Sequence, residues 1–234
     1  MGWGLSDLAG QTHLDKGTIH RILASMIKER LVHRHPTSHR YVPGPLLYEL
    51  GLAVSGLDEF QKECRPRLVE IVKETGGAVG FLGLRSQDEF VCIDHIQVSP
   101  FKVFHAVVGS RLPLPMSVFG IAILLALPEQ EIQGILSGSL TRIERFGSTR
   151  LSLVNKMIGR SLRYGVGVTL GDVAAGISGI GVPIRDEAGR PVASIGVGGD
   201  WSPSQDREVR VVITKLLEET RRIEIKHAQL LSHL

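Results

Sequence analysis

"LDKGTIHRIL", residues 14–23, places an aspartate, a lysine, a glycine and a threonine ahead of a histidine and an arginine, with aliphatic residues threaded between them. Asp15 is a good N-cap with Thr18 at its third position, so a helix is expected to start here. Ile19, Ile22, Leu23, Met26 and Ile27 then recur at the i, i+3, i+4 spacing of a helix with one core-facing stripe. Lys16, Gly17, Thr18, His20 and Arg21 fall on its first turn and outer side. The spacing therefore predicts a rod that hides one side and offers hydrogen-bond donors on the other.

The flanks decide what such a rod is for. Ser6 is expected to cap a short helix running to about Gln11, with Leu5, Leu8 and Ala9 on its apolar side and "THL" as a tight break. After Arg30, "LVHRHPTSHRYVP" predicts two short strands joined at Pro36–Ser38. Helix, turn, helix and basic hairpin is the layout of a winged helix-turn-helix, whose second helix enters a DNA major groove by its N-terminal residues. Thr18 and the open N–H groups of the first turn would meet phosphate, with charge from Lys16 and Arg21. Gly17 would let the backbone approach closely, and His20 and Arg21 would reach base edges. Arg34 and Arg40 would grip the flanking backbone from the hairpin. A solvated polar face on a small helical subdomain has the same periodicity.

The charge distribution is compatible with both alternatives, since a surplus of three over 42 residues is also ordinary for a solvated face. Residues 1–42 hold six Lys/Arg and three Asp/Glu, a surplus of three, whereas residues 43–234 hold 21 of each and sum to zero. Five of the nine histidines (His13, His20, His33, His35, His39) lie in the same 42 residues. A positive field concentrated on one small unit suits a polyanionic partner.

Pro43, Gly44 and Pro45 mark a boundary, and "LLYELGLAVSGL" predicts a linker helix. The expected division is 1–43, a 44–57 linker, and 58–234. In the third part a long helix is expected to end at Gly76–Gly77. Strands are expected over 77–85, 89–98, 101–109, 177–185 and 191–199. A buried helix is expected over 117–127, a short one over 129–136, an irregular stretch over 137–150, a helix over 151–165, and a last one from Ser204 to about Leu231. The fold class is α+β, with an antiparallel sheet and helices packed around it.

The chain resembles the IclR-type bacterial transcription regulators. "LSDLAGQTHLDKGTIHRILASMIKERLVHR…HRYVPGPLLYELG" is similar to their DNA-binding half, with Lys16, Thr18, His20, Arg21, Tyr41, Gly44, Pro45, Leu50 and Gly51 on matching positions and Gly17 in place of the usual serine. "GSRLPLPMSVFGIAILLAL" and "YGVGVTLGDVAAGISGIGVPIRDEAGRPVASIGVGG" resemble the two signature stretches of the effector domain. The resemblance implies a winged helix-turn-helix followed by a GAF-like domain that binds a small organic effector. Only "MGWG" precedes "LSDLA", where these regulators carry a further helix. One expectation is thus a DNA-binding regulator controlled by an effector. The other is a ligand-binding and oligomerising module without competent DNA binding.

The expected effector site comprises Phe104, Leu114, Met116, Ser117, Val118, Phe119, Thr169, Asp172, Gly179, Gly196 and Gly198. The prolines and glycine of "GSRLPLPMSVFG" shape a loop leading into a helix whose open N-terminus near Ser117 suits a carboxylate. Gly179, Gly181, Gly196 and Gly198 fall at period two, which marks close approach either of a ligand or of a neighbouring helix. In the family, the positions of Thr169, Gly179, Gly196 and Gly198 often carry Asp, Cys and Ser. Pro115 stands where histidine is common, and Ile121 where lysine is common. The implied pocket is larger and less polar than one for short keto-acids, and fits an aromatic or bulky apolar effector.

Other classes find little support. No GxSxG, HExxH or P-loop pattern occurs, so an enzyme is not expected. His33, His35 and His39 match no zinc spacing, and neither a metal nor a cofactor is implied. Cys64 and Cys92 suggest a reducing compartment, no apolar N-terminal run resembles a signal peptide, and the longest apolar run is too short to span a bilayer. A cytoplasmic homodimer or homotetramer on a double-stranded operator is expected, because paired recognition helices need a symmetric site.

Overall fold

The computed structural model describes residues 2–53, 56–98, 108–144, 148–172, 176–199 and 206–232. They divide into two compact units, Met1–Asp58 and Glu59–Leu234.

The first unit runs α1 (Leu5–Thr12), α2 (Lys16–Lys28), β1 (Val32–Arg34), β2 (Tyr41–Pro43) and α3 (Pro45–Ala53). The cap of α1 is Gly4 rather than Ser6, because Asp7 three residues on accepts the Gly4 N–H at 3.1 Å. The strands pair antiparallel, Val32 with Pro43 and Arg34 with Tyr41. Trp3 bridges Tyr41 through two backbone hydrogen bonds of 2.9 Å, so the chain start adds to the hairpin. Ile19, Leu23 and Tyr41 form the core, with Leu5, Leu8, Ala9 and Val32 against them. The expected stripe on α2 is narrower than its sequence. Ile22 is 45% exposed and Ile27 40% exposed, because α1 and the hairpin cover only the Ile19–Leu23 side. Gly44 is needed where it stands. A Cβ there would lie 2.1 Å from the Arg30 carbonyl oxygen, and the chain turns into α3 at that contact.

The second unit opens with α4 (Leu57–Glu74). It continues through β3 (Val79–Ser86), β4 (Glu89–Gln97), β5 (Arg111–Pro113), a 3-10 turn at Leu114–Met116, α5 (Val118–Leu124), α6 (Glu129–Glu144), α7 (Ser148–Tyr164), β6 (Gly167–Leu170), β7 (Ser178–Arg185), β8 (Pro191–Gly199) and α8 (Asp206–Leu231). The sheet order is β5-β4-β3-β8-β7-β6, and every pair in it is antiparallel. α5 packs on one face, against β6, β7 and β8. On the other face lie α8, against β7, and α4, whose Leu68 and Val72 sit over Gly80.

Two expectations change. The stretch 137–150 is not irregular, since α6 runs on to Glu144 and α7 starts at Ser148. Ile135, Ser139 and Ile143 are buried at four-residue spacing, so tertiary packing overrides the weak helix propensity of "SGS". The short edge strands β5 and β6 were not expected; runs of three and four residues carry little periodicity. Most of the strand expected over 101–109 lies outside the described residues.

Candidate nucleic-acid interface and effector site

α2 leads with a built N-terminus. The Asp15 carboxylate accepts the Thr18 N–H at 2.9 Å and the Thr18 hydroxyl at 2.6 Å. The hydroxyl bond, followed by the backbone one, holds the Asp15 carboxyl below its ordinary range. The Thr18 oxygen in turn accepts from the Arg21 guanidinium at 3.3 Å. Both Thr18 donors are thus taken by Asp15. In this arrangement the Thr18 side chain props Arg21 and stiffens the turn. Lys16, Gly17, His20 and Arg21 are all exposed, along the first turn and outer flank of α2, while Ile19 and Leu23 are buried. A Cβ on Gly17 would meet only the Asp15 carboxylate, at 3.1 Å.

The hairpin arginines are exposed and partly engaged. Arg34 stands 6.0 Å over the Tyr41 ring and donates to the His39 carbonyl at 3.1 Å. Arg40 donates to the Gly2 carbonyl at 2.7 Å. Arg30, in the turn after α2, pairs with Glu49 of α3 nineteen residues on, a link that no local spacing marked.

In the second unit, strand register gathers part of the expected effector site. Thr169 lies opposite Gly179, Gly179 opposite Gly198, and Gly198 opposite Val79, one row across four strands. The next row is Gly167, Gly181, Gly196, Phe81 and His95. α5 is pressed onto that second row. A Cβ at Gly167 would stand 2.0 Å from the Val118 oxygen, and one at Gly196 would stand 2.3 Å from the Ile180 oxygen and 2.7 Å from the Phe119 ring. The space left by Gly196 is therefore filled by Phe119, which also packs on Phe81 (4.8 Å between ring centres) and Phe90 (5.8 Å). At Gly179 a Cβ would meet Val118 at 3.3 Å and Thr169 at 3.4 Å, a far looser fit.

Of the remaining expected residues, Asp172 accepts the Thr169 hydroxyl at 3.4 Å and Val118 stands against Gly179, while the other described ones lie in the core or cap α5. Leu114, Val118 and Phe119 belong to one core cluster, and Met116 to another with Ile143 and Val154. Ser117 caps α5, its hydroxyl accepting the Gly120 N–H at 2.9 Å. Asp172 makes two hydrogen bonds with Arg160, of 2.7 and 2.9 Å, and accepts the Leu170 N–H at 3.1 Å. Burial pushes its carboxyl up, but Arg160 and the Leu170 N–H together hold it below the usual range. Arg160 went unnoticed in the sequence because a helix end and a strand separate it from its partner. Phe104 lies outside the described residues. Cys64 and Cys92 are buried, and burial pushes their thiols up to about 12 and about 11. Among the described residues no helix is long and apolar enough to cross a membrane.

Two family descriptions match the chain: the IclR helix-turn-helix domain over residues 1–36, and the bacterial transcriptional regulator IclR C-terminal domain over residues 53–225. The glycerol operon regulatory protein of Streptomyces griseus is 25% identical over 196 residues, 84% of this chain and 76% of that protein. The transcriptional repressor IclR of Escherichia coli is 25% identical over 211 residues, 88% of this chain and 76% of that protein. Among solved structures, an IclR homolog from Microbacterium hydrocarbonoxydans complexed with 4-hydroxybenzoate superposes with a TM-score of 0.71 at 21% identity, covering 96% of this chain and 90% of that one.

Proposed function

Because this chain belongs to the IclR family of bacterial transcriptional regulators, with a helix-turn-helix domain and a C-terminal ligand-binding domain, we propose that it binds a double-stranded operator through α2 and the hairpin, and that a bulky, largely apolar or aromatic effector controls the affinity. Its relatives are regulators rather than enzymes. The observation that carries the DNA-binding proposal is the exposed set Lys16, Gly17, His20 and Arg21 at a capped helix N-terminus, with Thr18 holding Arg21. Lys16 and the open N–H groups take phosphate, His20 and Arg21 face the bases, and Arg34 and Arg40 hold the backbone beside the groove.

The effector is placed over the Thr169–Gly179–Gly198 row, beside Val118 and Ser117. That row carries one hydroxyl, of Thr169, which donates to Asp172, and is otherwise apolar, which supports an aromatic acid or phenol over a glyoxylate-sized one. The 4-hydroxybenzoate bound by the Microbacterium homolog is a fitting first probe. A differential affinity for the two DNA-binding arrangements links this site to the operator. The protein is proposed to act in the cytoplasm as a homodimer or homotetramer. α3, where Tyr48 is 72% and Leu52 67% exposed, supports pairing with a second copy. A thermal-shift series tests the effector class. A rise in Tm with 4-hydroxybenzoate and none with glyoxylate supports it, and the reverse order overturns it.

A further inference from the structure

Asp172 stands at the β6 end of the Thr169–Gly179–Gly198 row, and α7 brings Arg160 to it. The placement is pinned one residue on. The Ser161 hydroxyl accepts the Val168 N–H at 2.9 Å and donates to the Val168 carbonyl at 3.2 Å, directly before Thr169 in the chain. α7 is thereby tied to β6, the last strand of the sheet. The Asp172 side chain is only 6% exposed.

Its two oxygens are used unequally. Oδ2 accepts from Arg160 Nε at 2.7 Å, from the Leu170 N–H at 3.1 Å and from the Thr169 hydroxyl at 3.4 Å. Oδ1 accepts from Arg160 Nη2 at 2.9 Å and, among the described residues, from nothing else. Each carboxylate oxygen has about two acceptor sites, so one on Oδ1 is open. The two bonds to Asp172 use Nε and Nη2 of Arg160, which leaves Nη1 with its donors. Although burial pushes the Asp172 carboxyl up, Arg160 and the Leu170 N–H hold it below its ordinary range, so at neutral pH it accepts only.

We propose that Asp172, with Arg160 beside it, reads a hydroxyl group on the effector, which makes the effector a hydroxy-substituted aromatic compound rather than a purely apolar one. The inference rests on the effector lying over the Thr169–Gly179–Gly198 row. A hydroxyl both donates and accepts, and so matches an open carboxylate site next to a guanidinium with donors to spare. A methyl group of the same size does neither. A second carboxylate only accepts and meets the Asp172 charge. The rest of the row makes no such distinction: Thr169 gives its proton to Asp172, and the two glycines carry no side chain. Selection among compounds of one size therefore falls to Asp172.

The test is calorimetric titration of the full chain at pH 7 with 4-hydroxybenzoate, 4-methylbenzoate and terephthalate, which put a hydroxyl, a methyl and a carboxylate at one position. The parent is expected to bind 4-hydroxybenzoate about tenfold or more tighter than 4-methylbenzoate, and terephthalate more weakly still. In Asp172→Asn, checked for folding by circular dichroism, the gap between the first two falls below about threefold. Thr169→Val keeps the Asp172–Arg160 pair and is expected to keep the gap, so it and the parent decide the matter if Asp172→Asn misfolds. Equal or tighter binding of 4-methylbenzoate by the parent, an undiminished gap in a folded Asp172→Asn, or loss of the gap in Thr169→Val overturns the inference alone. Binding of none of the three compounds overturns the aromatic-effector reading with it.

Discussion

Gly167 and Gly196 are small so that α5 can lie directly on the sheet. An added methyl meets backbone oxygens at 2.0 and 2.3 Å, and neither can move without shifting a strand or helix. Gly196→Ala is therefore expected to lower stability by about 1–3 kcal/mol in urea melts, with or without effector. Gly179→Ala, with its nearest contact at 3.3 Å, is expected to fold nearly as well and to weaken 4-hydroxybenzoate binding instead. Equal destabilisation by the two substitutions contradicts the division of the glycine rows. That division was not legible in the sequence, where all four glycines share one period; only register and the seating of Phe119 separate them. The Arg160–Asp172 pair was equally hidden. Arg160→Ala leaves a buried carboxylate unpaired and is expected to cost about 3 kcal/mol. Since Asp172 is held below its ordinary range, the stability from this pair is present above about pH 4 and lost as pH falls through the lowered value. The stability difference between the parent and Asp172→Asn should thus shrink on acidification; a difference constant with pH would contradict it.

At the scale of elements, the local signals that survive are those with a physical stop or start. Asp15 begins α2 as its side chain demands, and its replacement by alanine is expected to cost about 1 kcal/mol and to loosen Arg21 through Thr18. Comparing the urea midpoints of Asp15→Ala and the parent checks the first part. Signals that depend on neighbours failed. "SGS" reads as a break but lies inside α6, because Ile135, Ser139 and Ile143 are buried along one side. Ile22 and Ile27 read as core but are only part-covered. α3 is apolar on nearly every side, which fits a helix meant to be covered. Leu47→Glu/Leu50→Lys, both on exposed positions, is expected to lower the oligomer size seen by light scattering. An unchanged mass places the pairing surface elsewhere.

For the whole molecule, the two-unit order and the family were readable from the ordered motifs, since a capped recognition helix, a basic hairpin and two effector-domain signatures rarely occur together by chance. The surplus charge on the first 42 residues is compatible with the same partner. The effector was less readable, because pocket size depends on which glycines are filled from above. The central claim is that α2 reads DNA with its N-terminal face. Selection of duplexes from a random pool by the full chain and by Arg21→Ala tests it most directly. The parent should enrich a two-fold symmetric sequence with half-sites about 10 base pairs apart or a multiple of that, and Arg21→Ala should lose about 1–3 kcal/mol of preference at one position in each half. No enrichment by the parent, or the same motif from both proteins, would contradict it.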